Sequence, residues 1–200
     1  VKVPSFKKLL VIVFALIFIT ANTPVSAAPK YPTRIISLSP SATEDLFALG
    51  ASKQVIAVDD NSNYPSSAPK SKLSSFNPSA EAIAKYKPDF VIIQSSATKA
   101  DLVISQLKAL KIKVYIERTP TDINGVYKEI SEIANIVGKQ SNATKLNNQI
   151  KQARATAISN SKGRENTTIF HELDNTLYSA TSANFIGKIY RTDHANRKSK

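Results

Sequence analysis

The 200-residue chain contains no cysteine, no methionine and no tryptophan, and only five glycines. The absence of cysteine excludes disulfides, thiolate metal sites, cysteine nucleophiles and a lipid anchor on an N-terminal cysteine. The chain also has no GxGxxG fingerprint, no P-loop and no GxSxG nucleophile elbow, which argues against a phosphate-cradling loop and against an exported α/β hydrolase. The two histidines, His171 and His194, have no recognisable Ser/Asp or metal-ligand context. We therefore predict no catalytic residues, no metal and no cofactor.

Basic residues outnumber acidic ones, which gives a formal net charge of +12. They are scattered among acids instead of forming a stripe interleaved with aromatic residues, which a nucleic-acid surface would require. The composition, 42% hydrophobic and 21% charged, is that of an ordinary globular protein. We expect a basic monomer with no nucleic-acid partner.

The first 27 residues have the pattern of a secretory signal peptide. Basic residues at positions 2, 7 and 8 precede the apolar run "LLVIVFALIFI", and small residues follow at positions 25, 27 and 28. An apolar run this short falls below the roughly 20 residues that span a bilayer. Cleavage after Ala27 would leave a periplasmic or secreted protein, and an uncleaved N-terminal anchor is the alternative.

Short apolar runs alternate with helical patterns in the first half of the remaining chain. The predicted strands are 34–38, 54–59, 89–93 and 113–117. Between them, helices are predicted after Ser39, Ser41 or Thr43 as the N-cap and ending near Gly50, then at 79–87 and at 98–110. Residues 60–78 have the composition of a loop. This order predicts an α/β fold with a parallel sheet.

A purely helical pattern follows from Asp122 to about Ser161, with Gly138 as a point where the helix breaks or bends. It predicts one long helix, about 60 Å if continuous, or two consecutive helices. A helix of that length could act as a spine between two lobes. A strand at 167–173 and a short helix at 184–190 follow. We therefore divide the chain into a signal peptide (1–27), an N-terminal lobe (28–120), a spine (121–162) and the start of a second α/β lobe (163–200).

Ligands of open parallel sheets bind beyond the carboxyl ends of the strands. The loops at these ends are "SPSAT", "DDNSNYP", "QSSAT" and "ERTPT", all rich in hydroxyl and amide groups. Candidate ligand-binding residues in them are Ser39, Pro40, Asp60 and Ser95. Adjacent acids such as Asp59 and Asp60 are more typical of a solvated loop than of a metal pair. A polar rim with no recognisable nucleophile favours binding over catalysis.

Four motifs in this order resemble a known family: "RIISLSPSATEDLFALGA", "NYP", "NPSAEAIAKYKPDFVI" and "QLKALKIKVY". They are similar to the periplasmic substrate-binding proteins of ABC importers for cobalamin, haem and iron–siderophores, and the "LSPSATE" start is most similar to the cobalamin branch. The resemblance implies two α/β lobes joined by a long helix, with a small-molecule ligand between them. It also implies docking on an ABC permease through one glutamate per lobe, which in the first lobe matches Glu81.

The resemblance also places ligand contacts. Asn61 and Gln94 stand where family members carry aromatic residues, and Phe76 matches another aromatic position. Tyr64 belongs to the "NYP" motif, and its side chain is expected either to pack within the protein or to contact the ligand. Residues of the second lobe that would border the cleft are Glu172, Asp174 and Tyr178. With two aromatic positions lost, a corrinoid fragment, haem or a ferric siderophore remain as ligands beside cobalamin itself.

The final segment, "RTDHANRKSK", has no apolar period where the family continues with further βα units. We expect a truncation of the second lobe. Three alternatives follow: a receptor that still binds, an exported remnant that folds but binds nothing tightly, and a natural single-lobe protein with a basic tail.

Overall fold

The computed structural model describes residues 30–160, 170–172, 175 and 178–195, so the predicted signal peptide lies outside the described residues. The strands are β1 (Ile35–Leu38), β2 (Val55–Asp59), β3 (Lys70–Leu73), β4 (Phe90–Gln94) and β5 (Lys113–Glu117). The helices are α1 (Pro40–Ala48), α2 (Ala80–Ala84), α3 (Ala100–Ala109), α4 (Ile123–Val137), α5 (Gln140–Asn160) and α6 (Phe185–Ala195), with a 3-10 turn at Ser52–Gln54. None of these helices combines the length and the apolar character that crossing a membrane requires.

The five strands form one parallel sheet in the order β3-β2-β1-β4-β5, which confirms the α/β prediction. Successive side chains point to opposite faces of the sheet. Ile35 and Ile92 pack under α1, α4 and α5, whereas Ile36 and Ile93 pack under α2 and α3. Because helices cover both faces, β1 and β4 carry the continuous apolar runs that the sequence shows.

Both ends of α1 are fixed by local hydrogen bonds. Of the three candidate caps, Ser39 is the N-cap, and its hydroxyl accepts from the Ala42 N–H at 3.3 Å. At the other end Gly50 adopts a left-handed φ of 74°, and the Ala51 N–H donates to the Leu46 carbonyl at 2.8 Å. This is the reverse turn that glycine favours after a helix. The loop preceding α1 is thereby held directly at the end of β1.

The prediction of a loop over residues 60–78 is wrong at β3. This strand pairs only with β2, at the edge of the sheet, and the Ser71 hydroxyl bonds the Val58 carbonyl at 2.6 Å. Lys70 and Lys72 are exposed, and only Leu73 is buried. An edge strand needs few apolar residues, and lysines on it discourage pairing with another chain. Its sequence therefore lacks the apolar pattern that identifies the central strands.

The predicted spine is two helices, the second of the alternatives, and not one continuous rod. Gly138 ends α4 with a φ of 74°, and the Lys139 N–H donates to the Ala134 carbonyl at 2.8 Å. Helix α5 then folds back along α4, because the Asn147 amide donates to the Tyr127 carbonyl at 3.0 Å. Helix α5 has 21 residues, which corresponds to about 32 Å. Whether it links two lobes stays a prediction.

Part of the strand predicted at 167–173 lies outside the described residues. Within the described ones there is no extended ladder, only an isolated antiparallel bridge between Glu172 and Ser179. The helix predicted at 184–190 is present as α6 and extends to Ala195.

We expect Gly138→Ala to lower the free energy of unfolding by more than the ~1–2 kcal/mol that a left-handed conformation costs an L-residue. A Cβ at this position would lie 2.6 Å from the Tyr31 ring. Gly50→Ala is the matched control, since Gly50 has the same φ but its nearest neighbour would be 3.5 Å away. Urea denaturation measures both variants. Equal losses would contradict the packing part of this prediction.

Candidate functional site

The carboxyl ends of the strands form a continuous polar edge, which we call the rim. The chain runs outward from β1 to β2 and β3 and then resumes on the other side of β1 with β4 and β5. The point between β1 and β4 is therefore the topological switch point, where open α/β sheets bind ligands. The loops after these two strands, which begin at Ser39 and Ser95, lie at the centre of the rim.

The segment from Ser39 into the first turn of α1 contains one buried and one exposed serine. Ser39 is fully buried and its hydroxyl caps α1, while Pro40 is half-buried in the first turn. The exposed hydroxyl is that of Ser41, which lies 3.1 Å from the Ser39 hydroxyl and donates to Glu117 Oε1 at 2.5 Å. Of the two serines, Ser41 is thus the more accessible to a ligand.

The loop after β2 is organised by Asp59. This buried carboxylate accepts from the N–H groups of Asn61 and Ser62, at 2.8 and 3.1 Å, and from the Ser62 hydroxyl at 2.6 Å. The predicted residues Asp60 and Asn61 are exposed beside it. The Asn61 amide donates to the Ser75 hydroxyl at 3.1 Å, which joins this loop to the one after β3.

Two aromatic side chains stand out in the loops after β2 and β3: Tyr64 is 65% exposed and Phe76 is 70% exposed. The Phe76 carbonyl accepts from the Thr98 N–H at 2.8 Å, so the Phe76 loop contacts the loop after β4. In that last loop Gln94 is half-buried and Ser95 is exposed. The Ser95 N–H donates to the Glu117 carbonyl at 2.8 Å, which connects β4 to β5.

Sequence reasoning missed a group of three acids behind the rim, on α1 (Asp45), β5 (Glu117) and α4 (Glu129). Burial and the Glu117 charge raise the pKa of Asp45 to about 7. Burial, together with the hydrogen bond and charge of Glu117, raises the pKa of Glu129 to about 8. A signal was present for Glu129, because it falls on the apolar face of α4, between Val126 and Ile130.

A cavity of about 490 Å³ adjoins this acidic group. Ser41, Asp45 and Glu129 line one side of it, and Asn184 and Phe185, at the start of α6, line another. Across this cavity, the start of α6 therefore lies next to the rim. Asn184 and Phe185 are not among the predicted far-side residues. Of those that are, Glu172 and Tyr178 are exposed, and Asp174 lies outside the described residues.

Two further residues named in the sequence analysis, His171 and Glu81, have defined surroundings. The Nδ1 atom of His171 lies 2.8 Å from the Tyr190 hydroxyl, which fits a structural histidine. Glu81 is exposed in the first turn of α2 and pairs with Lys85 at 2.9 Å. That hydrogen bond and positive charge lower the pKa of Glu81. Among the described residues no three His, Cys, Asp or Glu side chains are grouped so that they could hold a metal ion.

A doubly covered parallel sheet with a polar, aromatic-edged rim at its switch point is the arrangement in which open α/β sheets bind ligands. A family model described as periplasmic binding protein matches residues 35–194. The chain belongs to this periplasmic binding protein family.

Individual relatives agree with this assignment. The chain is 31% identical over 176 residues to the "Uncharacterized ABC transporter substrate-binding lipoprotein YvrC" of Bacillus subtilis, covering 83% of this chain and 55% of that protein. It is 33% identical over 103 residues to a vitamin B12-binding protein of Vibrio vulnificus, covering 50% and 37%. The chain thus spans between about a third and just over half of these relatives.

Among solved structures, a possible iron-binding periplasmic solute-binding protein from Staphylococcus epidermidis superposes with a TM-score of 0.73. The match covers 82% of this chain and 66% of the other at 24% identity, so it supports the fold.

We expect Asp59→Ala to cost about 2–3 kcal/mol of unfolding free energy, because three donors lose a buried anionic acceptor. The neighbouring Asp60→Ala is the control and should stay within about 0.5 kcal/mol, since Asp60 is exposed. Urea denaturation compares the two. Similar losses for both would show that Asp59 does not organise the loop.

Proposed function

We propose that this chain is an extracytoplasmic substrate-binding component of an ABC importer, and that it captures a corrinoid, haem or ferric siderophore. The observation that carries the proposal is the continuous rim at the switch point, with two exposed aromatic residues, Tyr64 and Phe76. In the proposed two-lobed receptor, residues 28–120 form the N-terminal lobe that carries the rim. Residues 121–162 connect the lobes, and residues 163–200 begin the second lobe, on the far side of the ligand. The protein acts as a monomer and not as an enzyme.

The chemistry of the rim fits ligands of this kind. Corrins and haem present a large flat face, which aromatic side chains contact favourably. The exposed hydroxyl and amide groups of Ser41, Asn61 and Ser95 suit the polar substituents at the periphery of such a ligand. The names of the relatives support the same group of ligands, since they include vitamin B12 and iron.

Thermal melting with cyanocobalamin, haemin and ferrioxamine, each in separate titrations, tests the proposal. Binding to the folded state stabilises it by RT ln(1 + [L]/Kd), about 2.7 kcal/mol at a hundredfold excess over Kd. Tyrosine fluorescence offers a second readout, because the chain has seven tyrosines and no tryptophan. A cooperative melt with no shift for any of the three would instead support the remnant that folds but binds nothing tightly.

We expect Phe76→Ala to lower the affinity for the ligand found in that titration by roughly 2- to 12-fold, because an aromatic contact contributes about 0.5–1.5 kcal/mol. The control is Tyr86→Ala, at the amino end of β4, where the Tyr86 carbonyl accepts from Arg34 Nη2 at 2.7 Å. Tyr86 is also exposed, but it lies at the opposite edge of the sheet. An equal loss of affinity in the two variants would argue against the rim as the ligand site.

Docking on the permease is the second part of the proposal. Glu81 borders a groove of about 710 Å³ between α2 and α3, where Leu102 and Leu110 are also exposed. A carboxylate beside apolar side chains can pair with an arginine of a membrane partner while the leucines are covered. Glu81 would then exchange Lys85 for that arginine.

We expect Glu81→Ala to reduce ligand uptake by cells that carry the cognate permease, while the Kd for the ligand stays unchanged. Asp101→Ala is the control, since Asp101 is an exposed acid in the first turn of α3, as Glu81 is in the first turn of α2. Uptake of labelled ligand and solution binding are measured together. Unchanged uptake in Glu81→Ala would exclude Glu81 as a docking residue.

A further inference from the structure

Glu117, at the end of β5, forms hydrogen bonds to the segments that follow both β1 and β4. Its carboxylate accepts from Ser41 in the first turn of α1, directly after β1, and its backbone carbonyl accepts from the Ser95 N–H in the loop after β4. One residue at the end of β5 therefore bonds both loops of the switch point. It is 4% exposed, so this position is fixed by packing.

The hydrogen bonds of Glu117 are incomplete without a proton. Its Oε2 and the Oε1 of Glu129 are buried, and neither has a hydrogen-bond partner among the described residues. Glu129 is itself 8% exposed, and Glu117 is the neighbouring acid that most strongly raises its pKa. Two carboxylates contain no donor, so a hydrogen bond between them requires one carboxyl to be protonated.

The charged and titratable groups around this pair do not replace that proton. Helix α1 contributes two further acids, Glu44 and Asp45. Helix α4 contributes Glu132, whose carboxylate accepts from the Tyr115 hydroxyl of β5. The nearby cations are Lys128, which is exposed and paired with Glu132 at 3.7 Å, and the exposed Arg118. From α6, the cavity is lined by Asn184, Phe185 and Ile186, which are uncharged.

We propose that Glu117 is the positioning residue of the rim, and that a proton shared with Glu129 keeps it in place, so that loss of this proton releases the two switch-point loops. The inference rests on the proposed function, because it makes ligand capture at the rim dependent on pH. When both carboxyls are ionised, two adjacent buried negative charges repel each other. Glu117 then moves, and Ser41 and Ser95 lose their partner.

The sign of the pH dependence follows from linkage. The folded-state pKa of Glu129 is raised to about 8, whereas the unfolded chain loses this proton near the ordinary value of 4.5. Its contribution to stability is therefore complete below pH 4.5, declines as pH rises and is lost by about pH 8. Asp45 behaves likewise, but its pKa of about 7 is lower, so the two contributions overlap and the comparison of the wild type with a Glu129 variant is what separates them.

The first experiment needs no ligand and therefore separates this inference from the proposed function. The melting temperature of the full chain is measured from pH 5 to 9 for the wild type and for Glu129→Gln, whose amide can donate to Glu117 without a proton. We expect the melting temperature of the wild type to fall more steeply between pH 7 and 8 than that of the variant, which keeps only the contribution of Asp45. Asp101→Asn, an exposed acid on α3, should follow the wild type.

Hydrogen exchange of the Ser95 amide tests the positioning role, because this N–H bonds Glu117 directly. At pH 9 we expect it to exchange about tenfold faster in the wild type than in Glu129→Gln, which corresponds to roughly one pKa unit of coupling. A merely structural role for Glu129 would give the same ratio at pH 6 and at pH 9, and that result would overturn the proposal.

Two further measurements keep the proposal falsifiable. If Glu129→Gln does not fold, titration of 13C-labelled glutamate carboxyls in the wild type should show one that loses its proton above pH 7, and its absence refutes the shared proton. If a ligand was found among cyanocobalamin, haemin and ferrioxamine, its affinity should fall between pH 6.5 and 9 in the wild type only. An equal fall in both proteins would contradict the inference while leaving the proposed function intact.

Discussion

The two central strands, β1 and β4, must have both faces covered, and most of the described structure follows from that constraint. Their consecutive isoleucines, such as Ile35 and Ile36, are fully buried on opposite sides of the sheet. A single layer of helices would leave every second side chain in water, at a cost of roughly 1.5–3 kcal/mol for each isoleucine. Helices must therefore cover both faces. A parallel sheet satisfies this requirement when the chain adds strands first on one side of β1 and then on the other.

The same arrangement determines where binding can occur. Parallel strands end at one edge, so the loops from β1, β2, β3 and β4 lie side by side and need partners for their backbone groups. Buried side chains supply these partners: Ser39 accepts from the first turn of α1, and Asp59 accepts from its own loop. The adjacent groups of Ser41 and Asn61 also bond within the protein, to Glu117 and Ser75, but unlike Ser39 and Asp59 these two residues are exposed to solvent.

How far the sequence predicts this molecule depends on how local each determinant is. The ends of α1 could be predicted, since Ser39 and Gly50 act on backbone atoms a few residues away. β3 could not, because an edge strand is defined by its pairing with β2 and carries exposed lysines. The contact between Glu117 and Ser41 joins residues 76 positions apart, and nothing in either local pattern indicates it. The sequence could thus indicate which loops form the rim but not the acid that connects them.

The hydrogen bonds that organise the rim lie in the part of the chain that forms the sheet. The hydrogen bonds that connect its loops, from Asn61 to Ser75, from Phe76 to Thr98 and from Ser95 to Glu117, all join residues before position 118. A surface that is ordered before binding has little conformational entropy left to lose when a ligand arrives. The start of α6 lies beside this surface, where Phe185 and Ser41 line the same cavity, and does not create the rim. Under the proposed function, the rim would present a preformed surface, and the residues that face it would decide how completely a ligand is enclosed.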